Sequence, residues 1–264
     1  MRKFREIFSK TSWKKGGRGM NAIRIGVINE STKLFKRTKY KILLICIGIL
    51  SIALGVISNF TGGLINVSLS NLPLNILSIL TYALLPLIVF MAVADLFTAE
   101  QENGTIKAII TRPISRSEIL ISKMISILIY VISILTITFI IGSVMGIFFG
   151  RTQVINIPEI FIAYVVSILP IIPTIFLSML ISQLSKSSSS SVMLSVLIYI
   201  IIMLSGIIFP KVSSMIFISY TNWYKLFIGA QMPIKSILII VGLLVGYSLI
   251  LFSGAYALFE KKEY

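Results

Sequence analysis

The segment from Ile42 to Ala94 contains no charged side chain, and this run constrains the fold more than any other feature of the sequence. A helix needs about 20 mostly apolar residues to cross the hydrocarbon layer of a bilayer. The run is long enough for two such helices. Glycine, asparagine and proline between Thr61 and Pro73 supply the turn that divides it. The sequence therefore predicts two consecutive membrane-spanning helices.

Four further uncharged runs each have the length of one spanning helix: Met124–Gly150, Ile160–Ser185, Ser187–Pro210 and Ser236–Phe259. Hydrophobic residues make up 56% of the chain, which is more apolar surface than a single soluble core can bury. The runs exceed the length of a membrane strand and lack its alternation, which favours helices over a barrel. We therefore expect an all-α integral membrane fold with spans at about 42–60, 74–96, 123–147, 160–184, 190–209 and 236–259.

The distribution of Lys and Arg predicts the orientation of these spans. Six spans put both termini on one side, and 20 of the 24 Lys and Arg residues fall on that side. Because positive residues stay in the cytoplasm, we expect a multi-pass protein of the plasma membrane with both termini cytoplasmic. The formal net charge of +15 then reflects orientation and attraction to membrane lipid. It does not indicate binding of nucleic acid, because the basic residues line membrane borders.

The chain before the first span divides into two parts. Residues 1–19 are expected to form a basic tail with a glycine-rich break, and the helix-like segment after Met20 leaves Met1 and Met20 both open as the start of translation. Residues 20–41 predict an amphipathic helix that lies on the cytoplasmic leaflet. The alternative for this segment is an ordinary basic flank of a membrane helix. The apolar face of the predicted helix contains Ile23, Val27, Ile28, Leu34 and Phe35.

Three features interrupt or connect the later spans. Pro170 and Pro173 each remove a helical hydrogen bond, so we expect a bend in the fourth span. The serines of Ser187–Ser191 predict a solvated connector between the fourth and fifth spans. The segment Lys211–Lys235, rich in aromatic rings such as Trp223, predicts short helices that dip into the outer leaflet between the fifth and sixth spans.

Seven charged residues are concentrated between Ala99 and Lys123, in the loop that joins the second and third spans. A connector needs only a handful of residues, and this loop is longer. We predict a cytoplasmic elbow over residues 97–122, built as a short helix, a sharp corner and a second helix. The alternative is a charged hairpin that only anchors the two spans. The seven charged residues are Glu100, Glu102, Lys107, Arg112, Arg116, Glu118 and Lys123.

The local chemistry of the loop predicts where the elbow bends and restarts. Gly104 permits a bend or a close backbone approach. Pro113 ends the first helical piece, because its ring cannot continue the hydrogen-bond ladder. Ser115 and Glu118 have the spacing of a capping box, so a new helix is expected to start at Ser115. The long side chain of Lys123 is expected to extend to the lipid headgroups.

Two motifs in the elbow carry a family resemblance. Residues 100–107 read E-x-E-x-G-T-I-K, and residues 112–123 read R-P-I-S-R-S-E-I-x-x-x-K. In a six-span layout these motifs resemble the signature of bacterial ABC transporter type-2 permeases, from about Asn21 to the C-terminus. The resemblance implies an exporter subunit that pairs with a second copy or a homologous permease. It also implies a separate ATP-binding subunit, which binds ATP and Mg²⁺, so no cofactor is expected in this chain.

The same resemblance implies a role for residues of the elbow, which in that family inserts into a groove of the ATP-binding subunit. The residues of the first motif would make the coupling contact, and those of the second would shape the return of the chain. Carried over, the coupling site contains Glu100, Glu102, Gly104, Thr105, Ile106, Lys107, Arg112, Pro113, Ser115, Arg116 and Glu118.

The sequence lacks the residues that ATP hydrolysis and histidine-dependent catalysis would require. The sequence has no phosphate-binding G-x-x-x-x-G-K-[ST] motif and no histidine, and Cys46 is its one cysteine. We therefore expect a permease subunit that is not itself an enzyme. Ion-coupled carriers place ionisable groups at span centres, and here the span centres carry none. Two alternatives are a membrane-embedded enzyme acting on lipid-linked substrates and a non-transporting assembly or immunity protein.

Overall fold

The computed structural model describes residues 18–60, 72–105, 115–149, 156–229 and 233–262, and these residues form an all-α bundle. A first helix, α1, covers Arg18–Lys36. Within these described residues six helices, counting α5 and α6 as one, are long and apolar enough to cross a membrane, which confirms the predicted number. They are α2 (Thr38–Phe60), α3 (Leu72–Glu102), α4 (Arg116–Phe149), α5 with α6 (Ile157–Val166 and Ile171–Leu184), α7 (Ser188–Ile208) and α8 (Ile234–Lys261).

The helices α3 and α5–α6 form the centre of the bundle. In each of them 61% of the most apolar stretch is buried within the chain, against 28% in α2, 17% in α7 and 11% in α8. The last three helices therefore turn most of their apolar side chains outward, as helices do at a lipid-facing or partner-facing surface. The central helix α3 runs from one end of the bundle to the other. It contains two π-helical turns, Leu80–Leu84 and Ala94–Thr98.

Helix α1 packs against α4. A side chain at Gly26 would bring its Cβ to 2.9 Å from the Cβ and Oγ atoms of Ser122, so glycine permits this approach. The Ser126 hydroxyl donates to the Val27 carbonyl across 3.1 Å. The predicted apolar stripe faces α4 in part: Leu34 is fully buried and the Phe35 ring packs edge-on against Tyr130, but Ile28 is exposed and Glu30, outside the stripe, is buried. The difference arises because α1 is stabilised by polar contacts with other helices as well as by apolar ones.

The predicted bend in the fourth span is confirmed at Pro170. Residues 167–170 form a turn that separates α5 from α6. Pro170 has no amide hydrogen to donate to the carbonyl of Val166, four residues earlier. The Trp223 indole donates to that carbonyl from outside the helix, across 3.1 Å. A side chain distant in sequence thus supplies a hydrogen bond where the proline removes one.

The segment between α7 and α8 contains three short helical pieces: Pro210–Ser213, Phe217–Tyr220 and Trp223–Phe227. This confirms short helices in the predicted place. Two of their aromatic rings, however, are packed inside the bundle: Trp223 is 6% exposed and Tyr224 is 1% exposed. The expectation that they dip into lipid is therefore wrong for these two rings. The indole N–H bond to α5 explains why the ring of Trp223 turns inward.

Candidate coupling site

The structure describes both ends of the predicted elbow. Helix α3 continues to Glu102, past the expected end of the second span at residue 96, and is followed by a turn over residues 103–105. Gly104 has a backbone φ of 66°, and the space where a Cβ would lie is open, so this glycine serves a bend and not a close approach. Four predicted site residues lie outside the described residues: Ile106, Lys107, Arg112 and Pro113.

The chain re-enters the bundle through the predicted capping box. The Ser115 amide donates to Glu118 Oε2 across 2.8 Å, and the Glu118 amide donates to Ser115 Oγ across 3.3 Å. The box satisfies two amides that have no partner inside the first turn of a helix. It explains why α4 starts at Arg116, seven residues before the expected start of the third span at residue 123.

Lys123 is buried where three helices meet. The prediction that its long side chain extends to the lipid headgroups is therefore wrong. Its ammonium donates to Glu100 Oε2 across 2.6 Å and to the Leu96 carbonyl across 2.6 Å. It also lies 3.3 Å from Glu30 Oε2, and the residue is only 1% exposed. A buried ammonium requires pairing of this kind, because the cost of removing a charge from water is several kcal/mol.

Lys33 of α1 completes a group of four charged residues. Its ammonium lies 2.8 Å from Glu30 Oε1 and 2.7 Å from Glu100 Oε1. Glu30, Lys33, Glu100 and Lys123 therefore form two acids and two bases with no net charge, and we refer to them as the charge quartet. The quartet joins α1, α3 and α4 at the start of the elbow.

The pKa of Lys33 reflects these contacts. Burial lowers this pKa, but the hydrogen bonds to Glu100 and Glu30 outweigh burial, so the net shift is upward from the usual 10.5. A raised pKa means that the ammonium contributes to stability below the ordinary lysine value, as long as its carboxylate partners Glu30 and Glu100 remain ionised. The contribution is lost only as the pH rises through the raised value. The quartet therefore holds α1 in place across the neutral range.

Asp95 forms a second polar cluster, one helical turn before the quartet. Its Oδ2 accepts a hydrogen bond from the Tyr40 hydroxyl at 2.5 Å and lies 3.1 Å from Arg37 Nη1. Lys39 forms an ion pair with the same oxygen. Asp95 lies in the π turn of α3, a feature that is frequent at functional sites. This cluster connects α3 to the corner between α1 and α2.

The end of α3 also contacts α6 and α7. We refer to residues 98–105, the last helical turn and the turn after it, as the α3 root. The Gln101 side-chain amide donates to Gln183 Oε1 across 2.9 Å. The Ser188 amide, at the start of α7, donates to Glu102 Oε2 across 3.1 Å. A carboxylate is favourable there, because the N-terminus of a helix carries partial positive charge.

The C-terminal segment forms hydrogen bonds with residues at both ends of the predicted elbow. Arg116, where the elbow returns, donates through Nη1 to the carbonyls of Phe259 and Glu260, across 2.8 and 2.5 Å. These carbonyls belong to the last turn of α8, where helical carbonyls lack amide partners. Lys262 donates to Gln101 Oε1 in the α3 root across 2.6 Å and to the Gln183 carbonyl across 2.8 Å.

The predicted site residues fall into two groups in the structure. Glu100 is buried at 7% exposure and is paired within the chain, so it holds the α3 root in place. Glu102, Gly104 and Thr105 are exposed and lie beside it. The Thr105 hydroxyl donates to the Glu100 carbonyl across 3.2 Å, which ties the exposed turn to the buried base.

Sequence reasoning missed the residues that support the elbow from elsewhere in the chain. These residues are polar and lie near the ends of helices. A polar residue in such a place is weak evidence for a contact inside the bundle, because it normally marks a membrane border. A stronger signal is Glu30, an acid inside an otherwise basic segment. The missed residues are Glu30, Lys33, Gln101, Gln183 and Lys262.

Among the residues that the structure describes, no three His, Cys, Asp or Glu side chains are placed so that they could hold a metal ion. Across the described ranges, the fold defines a membrane domain with six helices that are long and apolar enough to cross a membrane. The chain matches the profile of a family described as ABC-2 family transporter protein over residues 12–264, and it belongs to that family. The match begins upstream of Asn21, where the resemblance had been expected to begin. The comparison with curated proteins gave no match.

Membership of this family makes the chain the membrane component, or permease, of an ABC transporter system. Such a system includes an ATP-binding partner, and the membrane component is generally not itself catalytic.

Proposed function

We propose that this chain is the transmembrane subunit of an ATP-driven exporter of the plasma membrane, with both termini in the cytoplasm. It functions as a dimer with a second copy or a homologous permease. The elbow over residues 97–122 couples it to a separate subunit that binds ATP and Mg²⁺. The observation that carries this proposal is the position of the α3 root, which contacts α1, α4, α6, α7 and the C-terminal segment.

The contacts of the α3 root give a physical route for force. A push on the elbow is transmitted to α1 and α4 through the charge quartet and to α7 through Glu102. Buried ion pairs resist separation, because an unpaired charge in a low-dielectric environment is costly. The helices around the root therefore move together as a rigid body. Such movement alternates access only if the ATP-bound partner makes different contacts in its two states.

The two groups of site residues have different parts in this mechanism. Glu102, Gly104 and Thr105 are exposed, so they belong to the surface that the ATP-binding subunit contacts. Glu100 is buried and paired, so it keeps the exposed turn in position. Arg116 anchors the other end of the elbow to the last turn of α8. Substitutions in the exposed group are expected to weaken partner binding, and substitutions at Glu100 to weaken transmission.

Cross-linking tests the contact directly. In a Cys46→Ser background, Thr105→Cys is co-expressed with the ATP-binding subunit and treated with a short thiol cross-linker. The expected product is a cross-link whose yield changes with bound nucleotide. The matched control is Ser189→Cys, which is exposed at the same end of the bundle but lies on α7. Equal yields from both cysteines, or no product although the subunits co-purify, would overturn the assignment of the elbow.

Thiol labelling from the two sides of intact cells tests the topology. Thr105→Cys is expected to react only after the membrane is made permeable. Lys225→Cys, exposed between α7 and α8, is expected to react in intact cells. The opposite pattern would reverse the orientation and remove the coupling role of the elbow.

A further inference from the structure

The corner between α1 and α2 carries an excess of positive charge. Lys36, Arg37, Lys39 and Lys41 lie within six consecutive residues, where α1 ends and α2 begins. In the described part of the chain, Asp95 is the acid that pairs with this corner, through Arg37 and Lys39. Two of the four cations thus share one carboxylate and the other two, Lys36 and Lys41, have no ion pair among the described residues, in contrast to the charge quartet, where acids and bases are equal in number.

The geometry at Asp95 holds two of these cations side by side. Arg37 and Lys39 both pair with Oδ2, and the Tyr40 hydroxyl donates to the same oxygen. The side chains of Arg37 and Lys39 remain 39% and 42% exposed, so both cations are accessible from outside. A single carboxylate balances only one of them. An external anion placed between the two would gain attraction from both, because the partner they share is already neutralised.

The surface next to the corner is apolar and faces outward. Ile42, Ile45 and Ile49 are 53%, 61% and 61% exposed, and their spacing puts them on one face of α2. Lys41 lies one helical turn before Ile45 on the same face. A cationic corner at the start of a spanning helix, next to an exposed apolar stripe, is complementary to a phospholipid, which has an anionic headgroup next to an apolar chain. The phosphate would meet the cations and an acyl chain would lie along the stripe.

We infer that the corner formed by Lys36, Arg37, Lys39 and Lys41 is a binding site for the headgroup phosphate of an anionic phospholipid. The apolar stripe below it selects a lipid over a free phosphate ion. The site stands on charge, exposure and geometry, and it does not depend on the transport function proposed above.

The test compares two charge-matched variants of the full chain in detergent. Lys36→Gln/Lys39→Gln/Lys41→Gln removes three cations from the corner and leaves Arg37 and Tyr40 on Asp95. The control, Lys211→Gln/Lys225→Gln/Lys235→Gln, removes three exposed cations from the opposite end of the bundle. Each protein is titrated with phosphatidylglycerol, and the bound lipid is counted by native mass spectrometry. Phosphatidylcholine with the same acyl chains is the neutral-headgroup comparison.

We expect the wild type and the control to retain phosphatidylglycerol in preference to phosphatidylcholine. Each lysine near an anionic surface contributes roughly fivefold in affinity, so the corner variant is expected to lose at least about tenfold. Equal losses in both variants would show attraction to net charge alone and would overturn the site. Displacement of the lipid by millimolar inorganic phosphate would also overturn it, because the occupant would then be a free ion.

Folding is checked by size-exclusion elution and thermal unfolding of each variant. If the triple variant does not fold, Lys36→Gln/Lys41→Gln replaces it, since both lysines are exposed and make no ion pair within the described residues. The double variant is expected to lose roughly fivefold or more in affinity for phosphatidylglycerol. Unchanged retention by a folded double variant would count against the site in the same way.

Discussion

Lys123 donates to Glu100 Oε2 across 2.6 Å, which joins the start of α4 to the end of α3 inside the bundle. Glu100 lies near the start of the predicted elbow and Lys123 directly follows its end, and the sequence predicts different roles for the two residues. Glu100 had been assigned to a contact with another subunit, and Lys123 to the lipid surface. Their pairing fastens the start of α4 to the end of α3 by a contact within this chain.

The first prediction concerns this pair. Lys123→Met leaves Glu30 and Glu100 buried with Lys33 as their remaining cation. Removing one partner of a buried ion pair typically costs about 3–5 kcal/mol, so we expect a large drop in the free energy of unfolding. The measurement is thermal unfolding in detergent, followed by tryptophan fluorescence. Lys41→Met is the control, because Lys41 is exposed.

A double substitution distinguishes the effect of losing charge balance from the effect of losing the packing of the Lys123 side chain. Lys123→Met/Glu100→Gln removes one base and one acid, so the remaining Glu30 and Lys33 still balance each other. We expect this variant to be more stable than Lys123→Met alone, because the uncompensated acid is gone. A double variant that is less stable than the single one would show that packing, not charge balance, is what Lys123 provides.

The second prediction concerns the contact between α1 and α4. In Gly26→Ala the new Cβ would lie 2.9 Å from Ser122, whose Cβ cannot move without a shift of α4. Overpacking of this kind typically costs about 1–3 kcal/mol. The matched control is Gly242→Ala in α8, where nothing lies within 4 Å of the added Cβ. We expect the control to be neutral or slightly stabilising, because alanine favours helix. Equal melting temperatures for the two variants would contradict the close packing of α1.

The third prediction concerns the C-terminal segment. Lysine cannot reproduce the flat guanidinium of Arg116, so Arg116→Lys loses part of the hydrogen bonding to the last carbonyls of α8. We expect a loss of about 1 kcal/mol in local stability, because the site is partly exposed. The readout is faster hydrogen exchange of the amides in the last two turns of α8. The control is Arg24→Lys in α1, whose side chain is exposed.

Truncation of the C-terminal segment tests its second set of contacts, which Lys262 makes with Gln101 and Gln183. A chain ending at Lys261 lacks the ammonium that binds Gln101 and the Gln183 carbonyl, whereas a chain ending at Lys262 keeps it. With the ATP-binding subunit present, we expect only the shorter chain to lose stimulation of ATP hydrolysis. Equal stimulation by both chains, at equal assembly, would mean that the C-terminal segment does not help to position the α3 root.

The fourth prediction concerns the bend in the fourth span. Trp223→Phe keeps an aromatic ring but removes the N–H that donates to the Val166 carbonyl. The expected cost is about 1 kcal/mol, the usual net value of one hydrogen bond. Tyr220→Phe is the control, since it removes an exposed hydroxyl that donates to Ser214 in the same segment. Thermal unfolding that ranks the control as the more damaging change would refute the role of the indole.

Features with a local cause could be predicted from the sequence. The number of spanning helices follows from the length of the apolar runs, and the part of the chain that the structure describes contains six helices long and apolar enough to span. The bend at Pro170 follows from a missing amide, and the restart of the helix after Ser115 follows from a capping box. Each of these depends on residues within a few positions of one another, so the sequence contains all the information required.

The serines after α6 show how a local reading can miss a boundary. They were expected to form a solvated connector over Ser187–Ser191, but α7 already begins at Ser188 and Ser191 is buried. Ser187 caps the helix, and Glu102 from α3 accepts from its first amide. Part of the stabilisation of this helix start therefore comes from a residue 86 positions earlier in the chain.

Which charges are buried was decided by the tertiary structure alone. Glu30 and Lys123 lie 93 residues apart, and Trp223 and Val166 lie 57 residues apart. A charged or polar side chain at a helix end is equally compatible with lipid headgroups, water or a partner inside the bundle. The free energy of each option depends on groups that only the packing of distant helices brings within hydrogen-bonding distance. The sequence by itself determined six apolar helices and a charged segment between α3 and α4, whereas the fold decided that the described ends of this segment are held by a neutral group of four paired charges.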